Sequence, residues 1–151
     1  MNENQVRDEI KELRQEFEKS LPSSAEYTRV SKKLDDLYYE HIDIREAALI
    51  AKHLDHKDTI DDDVKMIVAA ANGENVAEAL DLPINVCAAF KILHERLAKG
   101  WTQAELGQKV NLSQSQIAKI ENIQQIPDVG TLSGILVALD AQMEIGARKI
   151  S

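Results

Sequence analysis

The chain has 151 residues, a formal net charge of −8 and a single cysteine, Cys87. This length can bury one adequate hydrophobic core or two small ones without disulfides, and one cysteine forms no internal bridge, so we expect a protein of the reducing cytoplasm. No apolar run approaches the ~20 residues of a membrane span, and the first residues lack the basic and then apolar order of a signal peptide, which argues against membrane and secreted proteins.

The charge is distributed unevenly along the sequence. Residues 1–84 hold 11 Lys and Arg against 20 Asp and Glu, a net −9, whereas residues 85–151 hold 7 against 6, a net +1. The negative charge of the first half repels phosphate groups and suits a basic partner instead. The second half, near neutrality, is compatible with binding to nucleic acid. We therefore predict two domains, residues 1–82 and 83–151, with the boundary at Pro83.

The first 40 residues show apolar side chains at helical spacing. Val6, Ile10, Leu13, Phe17 and Leu21 form the stripe of an amphipathic helix, which the segment Leu-Pro-Ser-Ser ends. Ser23 and Glu26 then have the spacing of a capping box for a second helix. An antiparallel helical hairpin is the expected structure.

Further helices are predicted for the rest of the acidic half. Asp43 can begin a helix that continues through 47–54, residues 56–63 lack apolar periodicity and are predicted to be a linker, and 64–73 form a helix ended by Asn-Gly. His53 and His56 lie near several aspartates, but no further Cys or His completes a metal site. We predict no metal, no cofactor and no catalytic residue, since no nucleophile or phosphate-loop spacing occurs either.

Residues 101–122 have the pattern of two short helices joined by a tight turn. Thr102 and Glu105 have the spacing of a capping box, and Asn111 suits the left-handed residue that ends a helix. Ser113 can cap a second helix whose Ile117 and Ile120 face inward, while Gly107 allows two helices to cross closely. This order of residues predicts a helix-turn-helix motif, whose main use is binding double-stranded DNA.

The outward face of the second helix supplies the candidate DNA-contacting residues. Gln can pair with adenine, Ser with most base edges and Lys with guanine, so Gln114, Ser115 and Lys119 are the predicted base-reading residues in the major groove. Side chains and free amides near the helix starts and ends favour phosphate contacts or positioning. The predicted positioning residues are Thr102, Gln103, Ser113, Gln116 and Asn122.

From about Asn85 to Ile150, the chain resembles the Xre-type DNA-binding domain of phage repressors and of HigA- and HipB-like antitoxins. The resemblance lies in residues 102–106 (TQAEL), 113–122 (SQSQIAKIEN) and 127–145. It implies a five-helix, lambda-repressor-like domain. Together with the N-terminal helical hairpin or bundle that the periodicity predicts, this gives a mainly α protein. The family usually has Gly and basic residues after the Glu-Asn pair, whereas Ile123, Gln124 and Gln125 follow here, so we expect weaker and less salt-sensitive DNA binding.

The end of the chain shows a different periodicity. Asp128 can cap a helix with inward Leu132, Ile135, Leu136 and Leu139, after which apolar and polar residues alternate as in a strand. A lone strand has no partner within its own chain, so we expect it to pair with a second copy. The residues of this dimerising strand are Met143, Ile145 and Ala147. A homodimer also suits a palindromic operator with half-sites ~34 Å apart.

Three functions are compatible with these patterns. The first is an antitoxin and autorepressor, not an enzyme, whose residues 83–151 bind operator DNA while the acidic residues 1–82 bind a basic, ribonuclease-like toxin, as the resemblance implies. The second is a free-standing regulator of phage or plasmid type with no toxin partner. The third is an interaction protein whose motif has lost DNA binding, which the uncharged residues after Asn122 would explain.

Overall fold

A computed structural model of the protein describes residues 1–144, which divide into two compact units, Met1–Asp81 and the part of Leu82–Ser151 up to residue 144. These residues contain nine α-helices and no strand. The helices are α1 (Glu3–Lys19), α2 (Ala25–Tyr39), α3 (Ile44–His53), α4 (Ile60–Ala71), α5 (Val76–Ala79), α6 (Ile84–Ala98), α7 (Gln103–Val110), α8 (Gln114–Glu121) and α9 (Val129–Ala138).

The N-terminal unit is a helical bundle in which α1 packs on both α2 and α4. The predicted stripe of α1 is confirmed at Val6, Ile10 and Leu13, which are buried. Across the hairpin connection, the centroids of the Phe17 and Tyr27 rings are 4.6 Å apart. Leu21 is an exception, because it lies beyond the end of α1 and is exposed. Helix α4 contributes the buried residues Asp63, Val64, Met66, Ile67 and Ala69 to this bundle.

Two predicted helix starts in this unit are wrong. Ser24, and not Ser23, caps α2 by accepting a hydrogen bond from the Tyr27 amide, because Ser23 has a left-handed backbone with φ +63°. The expected linker of residues 56–63 is shorter than predicted, since Thr59 and Asp62 form a capping box that begins α4 at Ile60. Both starts depend on hydrogen bonds to backbone amides that apolar periodicity does not reveal.

The C-terminal unit surrounds one core formed by α6 to α9. Its fully buried members include Ile92, Leu106, Ile117, Ile135 and Leu139. Asp128 caps α9 as predicted, accepting from the Thr131 amide at 2.7 Å. Pro83 precedes α6, and Asn85 is buried within the first turn of that helix.

The end of this unit differs from the predicted dimerising strand. Residues 82–144 hold four helices where the resemblance implied five. The last of them, α9, ends at Ala138, and Asp140 then has a left-handed backbone with φ +52°. Met143 lies in no regular element and packs against the core of its own unit. Within residues 1–144 the strand is therefore not found, and Ile145 and Ala147 lie outside the described residues. No helix of residues 1–144 has the length and hydropathy to cross a membrane.

Candidate nucleic-acid interface

The two helices of the motif begin with matching capping boxes. At α7 the Thr102 hydroxyl accepts from the Glu105 amide at 3.1 Å, and the Glu105 carboxylate accepts from the Thr102 amide at 2.7 Å. At α8 the Ser113 hydroxyl accepts from the Gln116 amide at 3.1 Å, and Gln116 Oε1 accepts from the Ser113 amide at 2.9 Å. The first box was predicted and is confirmed. The second reveals a structural use for Gln116 that the sequence analysis missed.

The turn between the helices depends on Asn111 and Gly107. Asn111 ends α7 in the left-handed region at φ 58° and ψ 41°, as predicted. A Cβ atom at position 107 would lie 2.5 Å from the Leu112 carbonyl oxygen, and the Leu112 amide donates to the Gly107 carbonyl oxygen at 2.9 Å. Glycine is therefore required because the backbone of the turn lies against position 107. The sequence had suggested instead that glycine lets the two helices cross closely.

Burial of one side of α8 determines which side chains face outward. Ile117 and Ile120 are buried as predicted, while Gln114, Ser115 and Lys119 are exposed. Within residues 1–144, no acidic side chain forms an ion pair with Lys119. The structure thus places the three predicted base-reading residues on one accessible surface. It places Asn122 at the exposed end of the same helix.

A buried ion pair lies beneath this surface. Arg96 Nε donates to Glu121 Oε1 at 2.6 Å and Arg96 Nη2 to Glu121 Oε2 at 3.0 Å, and the two residues are only 7% and 5% exposed. A third guanidinium nitrogen donates to the Trp101 carbonyl oxygen at 2.7 Å. Such a bidentate pair fixes the position of α8 against α6. Neither charged residue was predicted from the sequence, although each lies four residues after an isoleucine of the core, Ile92 and Ile117.

The ion pair continues outward through two glutamines. Gln103 Nε2 donates to Glu121 Oε2 at 2.8 Å, and Gln114 Nε2 donates to Gln103 Oε1 at 2.7 Å. A hydrogen-bonded series therefore runs from buried Arg96 to exposed Gln114. Because each member holds the next, the amide of Gln114 is oriented before any ligand arrives. The chemistry available at its end is that of an amide group, which suits an adenine edge.

The loop after α8 is short, uncharged and tightly held. The amides of Gln124 and Gln125 both donate to the Lys119 carbonyl oxygen, at 2.8 and 3.1 Å. Ile123 has φ +60°, a conformation that is rare for a β-branched residue. Glycine adopts this conformation without strain, so Ile123 occupies a backbone position that favours glycine.

The other lysines near the motif are engaged elsewhere. Lys109 Nζ lies 4.3 Å from the centroid of the Trp101 ring, and Lys99 Nζ binds Asp140 at 3.1 Å while also lying 5.3 Å from the same ring. These contacts hold cations against the aromatic ring of Trp101. Lys119 is consequently the cation that α8 itself offers. Within the described part of the chain, no group of three His, Cys, Asp or Glu side chains is placed to hold a metal ion.

Comparison with known families gives a match in this region. Residues 92–145 match the family model described as helix-turn-helix, which spans roughly a third of the chain. Neither the curated proteins nor the solved structures gave a match. The match and the geometry of α7 and α8 together support a DNA-binding helix-turn-helix domain, the kind of domain found in transcription regulators.

Proposed function

We propose that the protein is a sequence-specific transcriptional repressor that binds double-stranded DNA through α8. In this proposal α8 enters the major groove, where Gln114 pairs with adenine, Ser115 bonds a neighbouring base edge and Lys119 reaches guanine. Thr102, Gln103, Ser113, Gln116 and Asn122 position the helix on the phosphate backbone. Its role is binding and not catalysis.

The observation that carries this proposal is the hydrogen bond from Gln114 to Gln103. A free glutamine side chain has several rotamers, and ordering them on binding costs free energy. The contact at 2.7 Å holds Gln114 in one orientation at the first turn of α8. A glutamine that only faced solvent would not need a fixed side chain. The fixed amide of Gln114 therefore supports a role in base reading.

A gel-shift assay with DNA from upstream of the protein's own gene tests this assignment. Alanine at Gln114 or Lys119 should weaken binding by about 1–3 kcal/mol at one half-site position and relax the choice of base there. The exposed Gln108 of α7 provides the control, since Gln108→Ala should leave binding unchanged. Wild-type affinity in a triple alanine variant of Gln114, Ser115 and Lys119 would contradict the proposal.

We further propose that the protein binds a palindromic operator as a homodimer and that α9 contributes the interface. Val129 and Val137 are 73% and 72% exposed on α9, which is otherwise rich in apolar residues. Met143 lies beside this face, and a helix that is apolar on nearly all sides is usually buried. Val137→Asp should therefore yield monomers with weaker operator binding in analytical ultracentrifugation. Leu97→Asp is the control, because Leu97 is an apolar residue of α6 that is also largely exposed, at 57%.

The acidic unit supports a second proposal, that the protein is the antitoxin of a type II toxin-antitoxin system acting in the cytoplasm. The net −9 of residues 1–84 favours a basic partner, and the resemblance to HigA- and HipB-like antitoxins suggests a ribonuclease-like toxin. Such a complex should associate fast, and more slowly as salt concentration rises. Co-expression with the product of the neighbouring reading frame tests this, and lack of a complex would favour a free-standing phage or plasmid regulator.

A further inference from the structure

The N-terminal unit contains a surface cavity of about 220 Å³ between α2, α3 and α4. One face of α3 forms its longest wall, with Ile44, Ala47, Ala48 and Ala51 at helical spacings of three and four residues. The three alanines are too small to fill the space beside them. The cavity therefore results from the sequence of α3 itself.

The size and lining of the cavity suit one apolar side chain. Pockets for drug-sized molecules have volumes of about 300–1,000 Å³, and this one is smaller. Buried Met66 lines it, while Ile44 and Tyr39 at its rim are 62% and 40% exposed. An apolar hollow with an exposed apolar rim is typical of a site that another protein covers.

Three aspartates, Asp58, Asp62 and Asp63, also line the cavity. Asp63 is buried and accepts hydrogen bonds from Arg14 at 2.7 Å and from the Tyr38 hydroxyl at 2.8 Å. Asp62 accepts from the Thr59 amide and hydroxyl in the capping box. Two of the three carboxylates are thus satisfied within the fold.

Asp58 differs from the other two aspartates. It is exposed, and within residues 1–144 the structure gives its carboxylate no hydrogen bond or ion pair. Burial raises the pKa of Asp63, and the negative charge of Asp58 raises it further, so this charge is felt inside the unit. A cation that arrived beside Asp58 would meet a carboxylate with no competing partner.

We propose that this cavity is the docking site for a basic protein segment, which inserts one large apolar side chain between α3 and α4 and sets a Lys or Arg beside Asp58. The inference rests on the proposed binding of a basic partner by the acidic unit and identifies where that partner docks. Phosphate groups would be repelled by the aspartates. A second acidic unit of the same chain would be repelled too, because residues 1–84 carry a net −9.

Two substitutions in the full chain, each with a matched control, test the docking site. Ala48→Trp fills the cavity from an exposed position of α3, and Ala25→Trp adds the same side chain at the exposed start of α2. Asp58→Lys reverses the charge beside the cavity, and Asp8→Lys makes the same change on the exposed face of α1. The second pair keeps the test decisive if tryptophan at position 48 disturbs folding.

The probe is an acetylated amphipathic peptide with Leu and Arg at helical spacing, compared with the same peptide carrying Glu for Arg and with n-pentylammonium. The Arg peptide should shift the amide resonances of α3 and Asp58. Ala48→Trp should weaken binding of this peptide at least tenfold, whereas Ala25→Trp should not. Asp58→Lys should weaken it at least threefold more than Asp8→Lys. Equal binding of the two peptides, or of the Ala48→Trp and Ala25→Trp variants, would overturn the proposal. Equally tight binding of n-pentylammonium would overturn it in favour of a small amine ligand.

Co-expression separates failure of the docking site from failure of the proposed function. If the wild-type chain does not retain the product of the neighbouring reading frame, the antitoxin proposal fails and the peptide result stands alone. If the wild type and Ala48→Trp retain it equally, the partner binds elsewhere and only the docking site is wrong. Retention by the wild type, Ala25→Trp and Asp8→Lys, with loss in Ala48→Trp and Asp58→Lys, is the expected result.

Discussion

Gln114 at the start of α8 donates a hydrogen bond to Gln103 at the start of α7, with Nε2 and Oε1 2.7 Å apart. Gln103 in turn donates to the buried carboxylate of Glu121 at 2.8 Å. The residue proposed to contact phosphate therefore also orients the residue proposed to read a base. Positioning and specificity are linked in this motif.

Substitutions of Gln103 and Gln114 should consequently be non-additive. From the sequence alone, Gln103→Ala should weaken all DNA sequences alike, but the structure predicts that it also relaxes the base preference at the position read by Gln114. Residues in direct contact show coupling of about 0.5–3 kcal/mol in double-mutant cycles. Fluorescence anisotropy with operators altered at one base pair would measure this coupling. Strict additivity would mean that the hydrogen bond is lost when DNA binds.

Removing one partner of the buried ion pair should strongly destabilise the C-terminal unit. Glu121→Ala leaves the Arg96 guanidinium charged and buried, which typically costs about 3–5 kcal/mol. Thr102→Ala, which removes one exposed cap, should cost about 1 kcal/mol and is the control. Urea unfolding followed by circular dichroism measures both. A cost for Glu121→Ala no greater than that of the control would mean that water reaches Arg96.

Alanine at two glycines should have opposite effects on stability. Gly107→Ala forces a Cβ against the Leu112 carbonyl oxygen, and crowding of this kind costs about 1–3 kcal/mol. Gly134 lies within α9, and beyond the adjoining backbone of that helix no atom lies within 4 Å of the added Cβ, so Gly134→Ala should stabilise by about 0.5–1 kcal/mol. Thermal unfolding of the two variants compares them directly. Similar shifts of the same sign would contradict the turn geometry.

Relieving the backbone at Ile123 should stabilise the protein. The left-handed conformation costs a non-glycine residue about 1–2 kcal/mol, and the greater freedom of glycine in the unfolded chain offsets part of the gain. Ile123→Gly should therefore stabilise by about 0.5–1 kcal/mol in urea unfolding. Asn111→Gly should change stability less, because Asn tolerates the same region. Destabilisation by Ile123→Gly would show that packing of the isoleucine side chain outweighs the strain.

The pKa values of the two histidines near α4, His53 and His56, should be shifted in opposite directions. Hydrogen bonds to Asp55 and then Asp62 raise the pKa of His56, whereas burial and the neighbouring Lys52 lower the pKa of His53. The stabilising contribution of His56 is fully present below its unfolded pKa of roughly 6.5 and is lost as pH rises through its higher folded pKa. Proton NMR titration gives both values. A pKa for His56 at or below that of His53 would contradict the two hydrogen bonds.

Local signals were sufficient for much of the helix-turn-helix motif. The box of Thr102 and Glu105, the left-handed Asn111 and the inward Ile117 and Ile120 were all predicted, because capping and helical periodicity involve residues within four positions of one another. Ser23 and Thr59 show where even local reasoning failed. At α2 the capping side chain is Ser24, one residue after the predicted Ser23. At α4 it is Thr59, which begins the helix a few residues before the apolar stripe.

The sequence by itself therefore determined a mainly helical protein, an acidic half and the outward polar face of α8, since composition and periodicity depend only on neighbours along the chain. The tertiary structure alone decided that Arg96 meets Glu121, 25 residues away, and that Gln103 meets Gln114. It also brought the alanine face of α3 beside Asp58 to leave a cavity. Such contacts depend on how helices pack in space, because periodicity along the chain predicts which face of a helix a side chain occupies but not which residue of another helix it meets.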